Sequence, residues 1–286
     1  MSAQDKVATL ADAAGLIENG TLLALGGDDR GQPAALCAEL IRHGRRDLRL
    51  AGHYRGFAAE LLIRSGCGRA ECLPVGAVRG QDLFPSDRNG IGASQQAVFA
   101  RLHAAAMGLP FLPLADGSGD ELASPVADPL TGKAVRTVPA LHPDISVIHA
   151  DAADEHGNVL IVEGRRDAIP ADIVLARAAR KVIVTVEQIV SRRTIAARPQ
   201  DLALRAEEVA MVVEAPYGAH PTGFSNRYRP DEEALAAFCA AGAAEASLAD
   251  WLGRWVEAPG DHMAYLERLG ARRLMDIALS RRAGLG

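Results

Sequence analysis

The chain has 286 residues, 49% hydrophobic and 23% charged, with a formal net charge of −5. That is enough to bury a sizeable core, in one large domain or two small ones. The acidic balance gives no reason to expect nucleic acid or an anionic membrane as partner, and no apolar run approaches the roughly 18 residues of a membrane span. Cys37, Cys67, Cys72 and Cys239 form no C-x2-C pair, so they read as reduced, mostly buried thiols of a cytoplasmic protein. The histidines show no H-E-x-x-H or similar helical pair, and no metal site is expected.

The N-terminal segment, MSAQDKVATLADAAGLI, is amphipathic and carries acidic residues. It lacks the basic and apolar regions of a secretory signal and reads as a first helix. From Asn19 to Pro33 the chain reads NGTLLALGGDDRGQP. The apolar run Leu22–Leu25 predicts a buried strand, stopped by Gly26-Gly27, with Gly31-Gln32-Pro33 before a helix over Ala34–His43. A strand, a glycine turn and a helix start let a ligand approach the backbone closely, because no Cβ intervenes. The same turn also serves packing alone in many α/β folds. Leu48–Ala51 predicts a second strand, Phe57–Ser65 a helix stopped by Gly66, and Ser94–Met107 a longer helix closed by Gly108. Strands are expected at Ile145–His149, Val159–Val162, Val182–Val186 and Val209–Val213, with a helix over Ile173–Ala179. Asp154, Gly157 and Asn158 suit a hairpin turn, since Gly and Asn accept positive φ.

Two segments, Val75–Gly92 and Leu112–Thr137, are dense in Gly, Pro and Asp and are expected as long loops. Asn226–Pro230 reads as a junction to a helical region that opens with Asp231-Glu232-Glu233. Trp251, Leu252, Trp255 and Val256 form a stripe that should cover the main domain or a partner chain. The expected organisation is an α/β domain over 1–230 and a C-terminal helical extension over 231–286, packed on it. Alternating strands and helices predict an open, largely parallel sheet flanked by helices.

The run from Asn19 to Pro33 resembles the signature of coenzyme A transferase family I. The resemblance continues through Gly108–Pro113, Pro139–Asp144, Ala152–Asn158, Leu175–Thr185 and Glu214–Pro221, covering nearly the whole chain. Together these blocks look like an α subunit of the glutaconate CoA-transferase type. The resemblance implies coenzyme A or acyl-CoA as substrate, with no permanently bound cofactor. The partner it implies is a β subunit, in an αβ dimer or an α2β2 heterotetramer. In such enzymes a glutamate carboxylate attacks the acyl-CoA thioester, forming an anhydride and then a glutamyl-CoA thioester, from which a second acid collects CoA. That glutamate belongs to the β subunit, so no catalytic residue is assigned here. Glu39, Glu60, Glu71 and Glu121 read as surface or structural carboxylates.

Ligands of parallel α/β sheets bind beyond the carboxyl ends of the strands. That rule selects Gly26, Gly27, Asp28, Arg30, His53, Tyr54 and Arg55 as lining of the site, with Gln95, Gly117 and Ser118 close by. Arg55 is the candidate partner of a substrate carboxylate, or else a surface cation. Tyr54 is a site residue or a packing aromatic with its hydroxyl to solvent. The chain departs from the family pattern in three places, one of them Val75–Gly80, where relatives tend to carry Phe-Glu. Asp28 stands where relatives carry an aromatic, in a turn one residue shorter, and the acids Asp28 and Asp29 oppose a phosphate unless Arg30 offsets them. Gln95 stands where relatives often carry a glutamate, and an amide cannot accept a proton at neutral pH. Close relatives also include ring-opening CoA-thioester hydrolases of steroid degradation. The alternatives to a transferase are therefore the α subunit of such a hydrolase and a non-catalytic CoA-ester-binding homologue.

Overall fold

The computed structural model describes residues 5–74, 94–114, 122–162, 171–224, 227–242 and 244–278. In chain order the first elements are β1 (Val7–Ala8), α1 (Leu10–Leu16), β2 (Leu22–Leu25), α2 (Ala34–Arg42), β3 (Leu48–Ala51), α3 (Phe57–Arg64) and β4 (Gly68–Cys72). Then follow α4 (Gln95–Ala106), β5 (Phe111–Pro113), β6 (Ser124–Ala127), β7 (Ala134–Pro139), β8 (Ile145–Ala150), β9 (Ala152–Ala153) and β10 (Val159–Leu160). The last part holds α5 (Ala171–Ala178), β11 (Lys181–Val186), α6 (Arg192–Ala196), β12 (Leu202–Leu204), β13 (Met211–Glu214), α7 (Glu232–Ala241), α8 (Glu245–Leu252) and α9 (His262–Ile277).

Seven strands form one sheet in the order β1-β13-β11-β8-β2-β3-β4, and every neighbouring pair is parallel. Its central strands are apolar on both faces, as a doubly covered parallel sheet requires. In β2, Leu23 and Leu25 join the cluster built with α1, α2 and α3, while Leu22 and Ala24 join the one built with α4 and α5. β8 divides in the same way, Ile145 and Val147 against Ile148 and Ala150. The helix starts are fixed by side chains. Thr9 and Asp12 form a capping box on α1, and Ser94 accepts from Ala97 N at the head of α4. Each such cap is worth about 1 kcal/mol.

α7 and α8 lie outside α2 and α3. Phe238 meets Phe57 at 4.9 Å and Trp251 at 4.8 Å, so the aromatic stripe packs on the chain's own helices. Their side chains belong to the same apolar cluster as β2 and β8, which is continuous across residue 230.

The structure differs from expectation in three places. Part of Leu112–Thr137 is an antiparallel sheet, β5-β7-β6, rather than a loop. Asp128, Pro129 and Gly132 fall in the connection Asp128–Lys133, where Asp128 Oδ1 accepts from Leu130 N. β6 is exposed along its length and so carries no apolar alternation to reveal it. β4 has the sequence GRAEC, an edge strand without an apolar run. The N-terminal segment contains β1 before its helix. Val75–Gly92 lies outside the described residues. The turn at Asp154–Asn158 joins β9 and β10 as an antiparallel hairpin. Among the described residues no helix is long and apolar enough to cross a membrane.

Candidate functional site at the switch point of the sheet

The strand order reverses between β2 and β8: β3 and β4 continue to one side, β11 and β13 to the other. The crevice beyond the carboxyl ends at such a reversal is the ligand position of open α/β sheets. Here the glycine turn after β2 stands at that edge. Gly27 has φ +82, and a Cβ there would stand 2.7 Å from Arg30 O and Gln32 N. A Cβ on Gly26 would stand 2.8 Å from Asp172 Oδ1 and from Ile148.

Three elements hold this turn. Asp172, in the first turn of α5, accepts a hydrogen bond from Gly27 N at 2.8 Å. Gly31 N donates to Gly223 O at 2.8 Å. Gln32 donates to Asp28 O at 2.6 Å and accepts from Ala58 N, at the head of α3, at 2.8 Å. Burial pushes the Asp172 carboxyl up to about 6, although the Gly27 N–H and the nearby His149 act the other way.

Beside it, at the ends of β8 and β11, lies a bonded polar network. Glu187 Oε1 is 2.8 Å from His149 Nε2 and accepts from Tyr228 Oη at 2.8 Å, while Oε2 accepts from Tyr217 N. Burial raises the Glu187 pKa, but these bonds and His149 together hold it below the ordinary glutamate value. It is therefore ionised at neutral pH, and His149 Nε2 donates to it. Tyr228 Oη also accepts from Ala219 N. The network ties the sheet edge to the 215–224 segment and stiffens the crevice wall; its groups are bonded to one another.

Gly26 and Gly27 are buried, and the Gly27 N–H is directed at Asp172. Asp28, Asp29 and Arg30 are exposed at the tip of the turn. His53 follows β3, is 7% exposed, and lies against Phe99 of α4 at 6.4 Å. Burial pushes the His53 imidazole pKa down, partly countered by Asp28, so the two share one edge. The Tyr54 hydroxyl is buried, not solvated. Arg55 is largely buried rather than on the surface, and its Nε donates to Glu60 Oε1 at 2.7 Å. Gln95 is exposed at the first position of α4. Gly117 and Ser118 lie outside the described residues. Sequence reasoning passed over Gln32, His149, Asp172, Glu187 and Tyr228. The legible signal for His149 and Glu187 was a polar residue closing an otherwise apolar strand, in ISVIHA and VIVTVE.

A parallel sheet with a tightly held glycine turn at its switch point is the arrangement in which open α/β folds place their ligands. The family model for coenzyme A transferase matches residues 7–204, and the chain belongs to that family. The A-type subunit of glutaconate CoA-transferase from Acidaminococcus fermentans is 32% identical over 95% of this chain and 94% of its own length. The crystal structure of that organism's glutaconate CoA-transferase superposes with a TM-score of 0.86, covering 97% of this chain and 96% of that one at 30% identity. A cysteine-to-serine variant of the decarboxylase AibA/AibB gives a TM-score of 0.73 at 33% identity, over 88% of this chain and 98% of its own. An Archaeoglobus fulgidus protein is 30% identical over 96% of this chain, which spans 63% of that protein's length.

Proposed function

We propose that this chain is the α subunit of a two-chain CoA-transferase that moves CoA between an acyl-CoA and a carboxylic acid in the cytoplasm. The nucleophilic glutamate comes from a β subunit, in an αβ or α2β2 assembly. Similarity to the A-type chain of the glutaconate enzyme along nearly the whole sequence carries the assignment. The state of the chain's own carboxylates supports a nucleophile supplied from outside. Glu60 accepts from Arg55 and Arg64, Glu39 accepts from Arg42, and Glu187 is bonded three times over. A carboxylate saturated by cationic or hydrogen-bond donors is a poor nucleophile, since attack would break those bonds.

In this reading Gly26–Arg30, His53, Tyr54 and Gln95 line the α side of a site completed by the partner. CoA is a substrate, not a resident group. Asp28 and Asp29 at the tip oppose CoA phosphates, so the turn shapes the reacting end of the site. Gln95, an amide that cannot accept a proton at neutral pH, weighs against the ring-opening hydrolase.

Co-expression with a β-type chain from an adjacent gene, one with a glutamate followed by Asn-Gly, tests the proposal. The complex supplied with acyl-CoA and acetate should form acetyl-CoA, and the isolated α chain should be inert. Acid release without an acceptor would instead indicate a hydrolase. Turnover by this chain alone would overturn the assignment of the nucleophile to a partner.

A further inference from the structure

We propose that His53 is the group of this chain that hydrogen-bonds the acyl oxygen of the CoA ester, an inference that rests on the carboxyl edge being the acyl-CoA site. Among the described residues four histidines are buried: His53, His149, His220 and His262. Three have ring partners: His149 with Thr185 and Glu187, His220 with Tyr265 and Asp231, His262 with Pro216 O. His53 differs, for its Nδ1 is buried without a hydrogen-bond partner among the described residues. Buried polar atoms are bonded in the great majority of cases, and an orphan at a ligand edge marks a place for a ligand atom.

The surroundings fix where that imidazole stands. Gly52 packs so closely that a Cβ would sit 2.8 Å from Leu25 O, which holds the end of β3 against the end of β2. His53 therefore stands beside the glycine turn at the switch point. Phe99 meets the ring edge-on, with 74° between the planes, and orients it. A ring kept neutral by burial supplies one donor and one acceptor. Such a ring next to the acid Asp28 suits a neutral carbonyl oxygen better than a phosphate. The amide carbonyls of the CoA arm share that chemistry, so the test must separate them from the acyl group.

The experiment uses the α–β complex with 15N-labelled histidine, the His53 signal being identified by its loss in His53→Asn. Saturating acetyl-CoA should shift the His53 ring nitrogens, and CoA alone should leave them in place. His53→Leu removes an unbonded buried atom, so its melting temperature should be unchanged or higher. Its kcat/KM should nonetheless fall about tenfold, the loss of one neutral hydrogen bond. His53→Asn, whose amide reaches the Nδ1 position, should recover part of that activity. Bound acetyl-CoA with an unmoved His53, or an equal shift with CoA alone, overturns the acyl assignment while leaving the site reading intact. A complex that binds neither compound overturns the site reading and this inference together.

Discussion

Gly27 has φ +82 and no room for a Cβ between Arg30 O and Gln32 N. Gly27→Ala should therefore cost at least about 2 kcal/mol, the left-handed backbone cost plus displacement of main chain. Thermal denaturation would read this as a lowered melting temperature, and activity of the α–β complex should fall with it. Asp172 makes the opposite case. Its folded pKa is raised to about 6 from 3.8, so the folded state disfavours the ionised carboxyl. The resulting destabilisation is absent below pH 4, grows between pH 4 and 6, and is fully present above. Asp172→Asn keeps an oxygen to accept from Gly27 N but cannot ionise. Its stability relative to the parent should rise across that window, reaching a gain on the order of 3 kcal/mol at pH 7 to 8 that is read as a higher melting temperature. A difference that stays flat with pH would show that Asp172 is not the titrating group.

The C-terminal helices are joined to one another and to the loop before them through Asp231. Its carboxylate caps α7 by accepting from Ala234 N, and it meets His220 Nε2 at 3.1 Å and Arg273 of α9. Burial raises its pKa, but His220 and Arg273 overcome that and hold it far below the usual carboxylate range. The stability this represents is present above the unfolded pKa near 3.9 and is lost as pH falls further. Asp231→Asn should destabilise by roughly 1.5–3 kcal/mol at pH 7, through loss of the charge-assisted hydrogen bonds that the buried carboxylate accepts from the half-exposed Arg273. The deficit should shrink in acid, as urea titrations at pH 7 and pH 3 would show. The sequence announced this helix through Pro230 and the acids after it, but not that Asp231 would be bridged from Arg273, 42 residues away. The same division holds throughout. Leu22–Leu25 and Leu48–Ala51 stood out because both faces of a central strand are buried. β4 and β6 did not, because edge strands need no apolar run. At the site, the glycines were legible as breaks in a pattern. Their partners Asp172 and Gly223 were not, because pairings between distant segments leave no local periodicity.

At the scale of the whole molecule, the helices after residue 230 complete the core. Phe238 is wholly buried, between Phe57 and Trp251 and beneath the Arg64 guanidinium. α2 presents Ala34, Ala35 and Ala38 toward the C-terminal layer, where Trp251, Trp255 and Tyr265 supply the bulk. Small residues on one side and large on the other leave neither half a finished surface. Replacing Phe238 by Ala should cost about 3–5 kcal/mol, a large share of the roughly 5–15 kcal/mol that holds a domain folded. A chain ending at Pro230 loses the entire layer and uncovers Phe57, Leu61 and the alanine face of α2 together. Such a contiguous apolar patch drives association. The truncated chain should therefore be insoluble or fail to show the near-UV circular dichroism of the full chain. The full chain should unfold in one calorimetric transition, because one apolar cluster runs from β8 through α2 and α3 to α7. A soluble 1–230 fragment with native near-UV signal would instead show residues 231–286 to be a dispensable extension. The glycine turn after β2 would then draw its rigidity from Asp172, Gln32 and Gly223 alone.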